Sequence, residues 1–163
     1  MKMKVFMLML MPFLVTAQKP ITFEGVLNVD TSVSQNAMFK RVRGYLVESF
    51  RDYNKVKMIE DEQEGVIVIK CIMHSWQMEN GFGRGVGDTY NVYCTMRMRA
   101  KKGSVKYLFD TFVCDKLGEI TDALPKKDIY LTQKYYKKVV ATLNDKMPSF
   151  VKGLQISCDK EAF

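Results

Sequence analysis

Histidine occurs once in this chain, at His74, and tryptophan once, at Trp76. A Ser-His-Asp or Cys-His centre would therefore have to use His74. That residue sits inside a β-type segment beside Ser75, where a histidine is more often a packing or surface residue. With one histidine and no C-x-x-C among the four cysteines, no structural zinc site is expected. G-x-S-x-G, H-E-x-x-H and P-loop patterns are also missing. Most acidic residues fall in turns or on helix surfaces and Asp110 alone lies in mid-strand, so no pair of carboxylates converges for glycoside chemistry. These absences assign no catalytic residue, no metal and no cofactor.

Long apolar runs are missing after the first 17 residues. Those residues join a basic start (Lys2, Lys4), an apolar stretch from Val5 to Val15 and small residues at Thr16 and Ala17. The stretch is shorter than the about 20 apolar residues of a spanning helix. It has the layout of a cleaved secretory signal, leaving 18–163 as a single domain. The net charge of +7 is carried by 25 basic and 18 acidic side chains, and loss of Lys2 and Lys4 leaves 23 basic ones. That excess suits solubility or contact with an anionic surface. Export would permit disulfides. Cys71 and Cys94 share an inferred facing, and Cys114 and Cys158 form a second conceivable pair. Buried thiols are the simpler expectation for cysteines inside strands.

What the chain does contain is a run of strand patterns from Gly65 to Asp115. The first, 65–76, is rich in β-branched residues. Alternation places Ile67, Ile69, Cys71 and Met73 on one face and Val66, Val68, Lys70, Ile72, His74 and Trp76 on the other. In 88–99, Tyr90, Val92, Cys94, Met96 and Met98 share a face, with Tyr93, Thr95, Arg97 and Arg99 opposite. A turn at Ala100–Gly103 leads into 105–114, where Val105, Tyr107 and Phe109 oppose Lys106, Leu108, Asp110, Phe112 and Cys114.

Residues 21–29 read as an earlier strand. Ser32 with Gln35 three residues on is a capping-box pattern, and Phe39, Val42, Leu46, Phe50 and Tyr53 form the apolar stripe of a helix over 33–53. Residues 56–59 form a short strand, followed by an acidic turn at 60–64 that lacks calcium-loop spacing. Asn80–Gly87 holds four glycines but not the G-x-G-x-x-G order, and a strand follows, so it reads as a hairpin loop. A second helix over 127–156, N-capped by Asp128, carries Leu131, Tyr135, Val139, Leu143 and Met147 on one face and Lys134, Lys137 and Lys138 on another. Pro148 is expected to kink or end it.

In this β-α-β-β-β-β-α order the chain resembles DUF4468, an exported Bacteroidetes domain family of unknown function with a TBP-like fold. Ile21–Val29, the helix onset near Phe39, the long 65–75 strand and the Lys101–Tyr107 turn and strand carry the resemblance. It spans about residues 20–115, with Lys102 in place of the usual acidic turn residue. It implies an α+β domain whose curved five-stranded antiparallel sheet has two helices on one face. DNA binding is not implied, since fold is not function and export removes access to a genome.

The expected helix-covered face holds Ile67, Ile69, Cys94, Met96, Tyr107 and Phe109. The other is expected to present Trp76, Tyr93, Arg97, Leu108 and Phe112 as a binding face for an unknown protein or glycan partner in the cell envelope, because rings beside an arginine stack on sugars or anchor proteins. Two alternatives stand beside it: an envelope enzyme using His74 or Asp110, and attachment to an anionic surface or polymer through Lys134, Lys137, Lys138 and the first helix.

Overall fold

The computed structural model describes residues 19–77, 89–121 and 130–160. The expected signal segment at 1–17, the glycine-rich loop at 80–87, the expected cap at Asp128 and the side chains of Trp76 and Leu131 lie outside the described residues. Among the described residues the elements are, in order, β1 (Phe23–Asn28), α1 (Gln35–Ser49), α2 (Tyr53–Val56), β2 (Lys57–Asp61), β3 (Val66–Gln77), β4 (Thr89–Lys101), β5 (Ser104–Cys114), β6 (Gly118–Glu119) and α3 (Tyr130–Asp159).

The strands form one antiparallel sheet in the order β1-β5-β4-β3-β2, with β6 paired to β5 beyond the end of β1. The sheet thus has a sixth, two-residue strand where the sequence suggested only a connection. At the β4–β5 hairpin Gly103 adopts φ 67°, and a Cβ there would meet the backbone of Thr31. Glycine is needed at that turn for both reasons.

Helix α1 starts two residues later than expected. Ser34, not Ser32, is its cap, accepting a bond from the Ala37 amide (3.2 Å), while the Ser32 amide donates to Asp30 in a local turn. The helix ends at Ser49, and the single turn α2 holds Tyr53. Met38, Phe39, Val42 and Leu46 are buried on one side of α1, each contributing about 1.5–3 kcal/mol of apolar burial.

Helix α3 does not stop at Pro148. Proline removes the bond to the Asn144 carbonyl, but Leu143 and Met147 before it and Leu154 and Cys158 after it are all buried in the same core. Tertiary packing therefore holds the helix together across the defect. Gly153 is a close-approach site: a Cβ there would strike the hydroxyl of Tyr45, which donates to the Phe150 carbonyl (3.0 Å). Arg41 also joins the helices, donating to the Cys158 carbonyl (2.6 Å) near the end of α3.

Both long helices pack on one face of the sheet, above Ile67, Ile69, Cys94, Met96, Val105 and Phe109. Phe109 meets Phe150 of α3 edge to face at 5.7 Å, and Tyr90 stacks on Tyr135 at 6.1 Å. All four cysteines are buried free thiols. Cys71 and Cys94 are direct cross-strand partners in the core.

Two irregularities break the simple alternation. In β3 the register passes from Ile72↔Tyr93 to His74↔Val92, leaving Met73 as an extra residue. In β5 it passes from Asp110↔Thr95 to Val113↔Tyr93, and Thr111 takes φ 54°. An extra residue in one strand reverses the facing of everything beyond it. His74 therefore joins the face of Val92 and the helices, and Trp76 is paired with Tyr90. Phe112 turns into the core, where it is 1% exposed and meets Phe23 edge to face at 5.7 Å. Cys114 also becomes a core residue, and Val113 takes the facing that strict alternation would have given Phe112.

Candidate functional site

The face opposite the helices is laid out by the ladder register. One row reads Ile59–Val68–Arg97–Leu108–Glu24, crossing β2, β3, β4, β5 and β1. The next reads Asp61–Val66–Arg99–Lys106–Val26. Toward the other end come Lys70–Thr95–Asp110 and then Ile72–Tyr93–Val113. No described helix packs on these side chains.

Several apolar side chains on this surface have no cover among the described residues. Val26, Ile59 and Ile72 are each about half exposed (55%, 52% and 49%). Between the first two rows lies a shallow depression of about 340 Å³, lined by Val66, Val68 and Leu108 and flanked by Arg97, Arg99 and Lys106. Its floor is hydrocarbon and its rim cationic. The Arg97 guanidinium is oriented across the strands by Asp110 (3.3 Å), and Arg99 reaches Glu64 at 3.5 Å. Both arginines are half exposed, so these pairs direct the side chains more than they stabilise the fold.

Of the five residues expected to form a binding face, the structure brings three together: Tyr93, Arg97 and Leu108 all face this side. Phe112 does not, because the bulge at Thr111 rotates it into the core. The register shift at Met73 pairs Trp76 with Tyr90, a residue of the helix-covered side. Val26, Ile59, Val66, Val68 and Lys106 complete the surface. Val26 and Ile59 lie on strands whose alternation is short or imperfect, so only the pairing with β5 and β3 reveals their facing.

The candidates for the other readings are separated. His74 lies on the helix side, where its Nδ1 is 3.0 Å from the Lys146 ammonium of α3. Burial, then the charges of Lys146 and Lys138, hold its pKa below the ordinary histidine value. Asp110 lies on the opposite face, bound to Arg97 and to the Thr111 hydroxyl (2.9 Å). The sheet stands between the two. Of the cations on α1, Arg43 is engaged by Glu60, Arg41 by the Cys158 carbonyl, and Lys40 lies 4.0 Å from Glu62. Lys134, Lys137 and Lys138 are exposed on α3. Glu60 collects Arg43, Lys57 (2.9 Å) and the Tyr53 hydroxyl (3.4 Å). Burial raises the Glu60 pKa, but the bonds from Lys57 and Arg43 outweigh it and hold the carboxyl below its usual value. Tyr53 is pushed up to about 12 by burial and by the charge of Glu60. This cluster ties α1 to the β2 edge and lies on the helix side. Among the described residues no three histidine, cysteine or acidic side chains gather closely enough to hold a metal ion.

Comparison with known proteins places this architecture. No curated protein matches the chain. A TBP-like protein from Parabacteroides distasonis is similar in structure at TM-score 0.57 and 9% identity, over 83% of this chain and 92% of that one. A DUF4468 family protein from Bacteroides ovatus is similar at TM-score 0.55 and 12% identity, over 87% and 88%. At such identities the likeness shows the fold alone. Residues 23–114 match the family model described as a domain of unknown function (DUF4468) with TBP-like fold. That stretch runs from the first residue of β1 to the last of β5 and contains every residue of the depression, whereas α3 follows it. The chain belongs to the DUF4468 family and has its TBP-like fold.

Proposed function

We propose that this protein is an exported, non-enzymatic binding module of the cell envelope, and that it takes a protein or glycan partner on the open face of its sheet. The observation that carries the reading is the apolar depression of Val66, Val68 and Leu108 rimmed by Arg97, Arg99 and Lys106. Val26, Ile59 and Ile72 on the same face are about half exposed, and an apolar surface on a sheet that no described element covers calls for a partner. The cationic rim selects one that carries anionic groups beside apolar ones, such as an acidic peptide or an acidic glycan. Export rests on the basic, apolar and small-residue layout of residues 1–17. The separation of His74 from Asp110 weighs against a shared catalytic centre. The engagement of Arg41 and Arg43 within the fold weighs against α1 as a polymer-binding helix.

The test is photo-crosslinking in growing cells. A photoreactive residue at Tyr93 or Leu108 should capture a discrete partner, and Arg97→Glu with Arg99→Glu should abolish the capture. The same probe at Val47, exposed on α1, should give none. Capture from Val47 but not from Tyr93 or Leu108 would overturn the assignment of the open face.

A further inference from the structure

Strand β1 forms one edge of the sheet and β2 the other. The β2 edge is guarded. It is five residues long, carries Lys57, Glu60 and Asp61, and has a register shift between Lys57 and Ile59. Charge, shortness and irregularity are what blunt an edge against further pairing. The β1 edge is less guarded. Its six residues carry one charge, at Glu24, and pair with β5 in unbroken register.

The phase of the β1–β5 ladder is fixed by one bond, from the Val29 amide to the Gly103 carbonyl (2.9 Å). In an antiparallel ladder the inward-bonding residues alternate. Phe23, Gly25 and Leu27 therefore turn their backbone groups to β5, and Glu24, Val26 and Asn28 turn theirs outward. Among the described residues, the one bond made to those outward groups comes from Gln155 to the Asn28 carbonyl (3.3 Å). Helix α3 does not close over the edge. A groove of about 780 Å³, lined by Phe23, Leu27, Met147 and Val151, separates the two.

We propose that β1 pairs antiparallel with β1 of a second copy of this chain, in a register centred on Val26. Self-complementarity selects both the occupant and the register. Centring on Val26 sets Val26 against Val26 and Glu24 against the Asn28 amide of the second copy, with outward backbone groups facing one another at each pair. Centring on Glu24 would oppose two carboxylates. Centring on Gly25 would set Glu24 against an apolar valine, and centring on Leu27 would set it against Asp30. Directly opposed like charges destabilise a strand pair. A two-fold axis through the Val26 pair is an isologous contact that closes at two copies. It joins the two sheets edge to edge and places both open faces on the same side.

Sedimentation velocity over a concentration series tests this. The protein should show a dimer that dissociates on dilution. Val26→Pro removes an amide that β1 does not use toward β5, so the edge tolerates it, and this variant should be a monomer at every concentration. Val26→Cys supplies a second readout that does not depend on the proline variant folding. It should give a disulfide-linked dimer on mild oxidation, while Met58→Cys, exposed on β2 at the opposite edge, should form no disulfide-linked dimer. A parent protein that is monomeric into the millimolar range would overturn the proposal. So would a dimer that survives Val26→Pro, or one that Val26→Cys does not trap.

Discussion

The bulge at Thr111 decides which of two neighbouring residues, Phe112 or Val113, belongs to the core. Truncating each in turn measures that directly. Phe112 is 1% exposed and packs edge to face on Phe23. Its removal loses the transfer free energy of a buried ring and leaves a cavity, so Phe112→Ala should cost about 3–5 kcal/mol. For a domain of this size that lowers Tm by roughly 6–20 °C. Val113 is half-buried on the open face beside Tyr93, and Val113→Ala should cost about 1 kcal/mol or less, within the range of surface and partly exposed sites. Urea unfolding followed by far-ultraviolet circular dichroism gives both values, with m unchanged if each variant remains two-state. Total stability is of order 5–15 kcal/mol, so Phe112→Leu is the fallback where the alanine variant unfolds. A larger loss at Val113 than at Phe112 would refute the bulge and restore strict alternation through β5.

Three further outcomes follow from named contacts. Gly153→Ala should destabilise by about 1–3 kcal/mol through overlap with Tyr45, and in thermal unfolding its cost should shrink when Tyr45→Phe is already present, as expected for neighbours. His74 has a folded pKa below its unfolded value near 6.5, so the folded state binds fewer protons and its stability should fall as pH drops below that value. His74→Leu should flatten the slope between about pH 5 and 7 in unfolding measured across pH. Glu60 also has a lowered folded pKa, from an ordinary value of 4.5; its contribution is complete above that value and lost as pH falls through the folded pKa. Glu60→Gln should cost about 0.5–1 kcal/mol at neutral pH and little at pH 3, read by the same titration.

The order of elements was legible because apolar periodicity marks α1 and α3 and alternation marks β3, β4 and β5. The Phe39, Val42 and Leu46 stripe is buried as its spacing implies, and Ile67, Ile69, Cys94, Met96 and Phe109 form the core floor. What local patterns could not carry was the count of residues facing one another across strands. Met73 and Thr111 each insert one residue, and neither is a glycine or asparagine that would advertise a bulge. Thr111 is a β-branched residue at positive φ, a conformation its own sequence preference disfavours. Everything beyond these two points changed face, which moved Phe112, His74 and Cys114 to the helix side. Tyr93, Arg97 and Leu108 precede or oppose the insertions and kept their facing. Pro148 was misleading for a related reason: a local breaker inside α3 is overridden by core contacts on both sides of it.

Hydroxyl-radical footprinting, read by mass spectrometry at single side chains, tests the open face as the binding surface most directly. In the purified protein, Tyr93, Leu108 and Ile72 should be oxidised readily, while Phe109 and Met96 beneath the helices should not. In cell-envelope extract, Tyr93, Leu108 and Ile72 should become protected while Val47 and Ile156 on the helices keep their rates. Protection confined to the helices, or rates at Tyr93, Leu108 and Ile72 unchanged by the extract, would contradict the account.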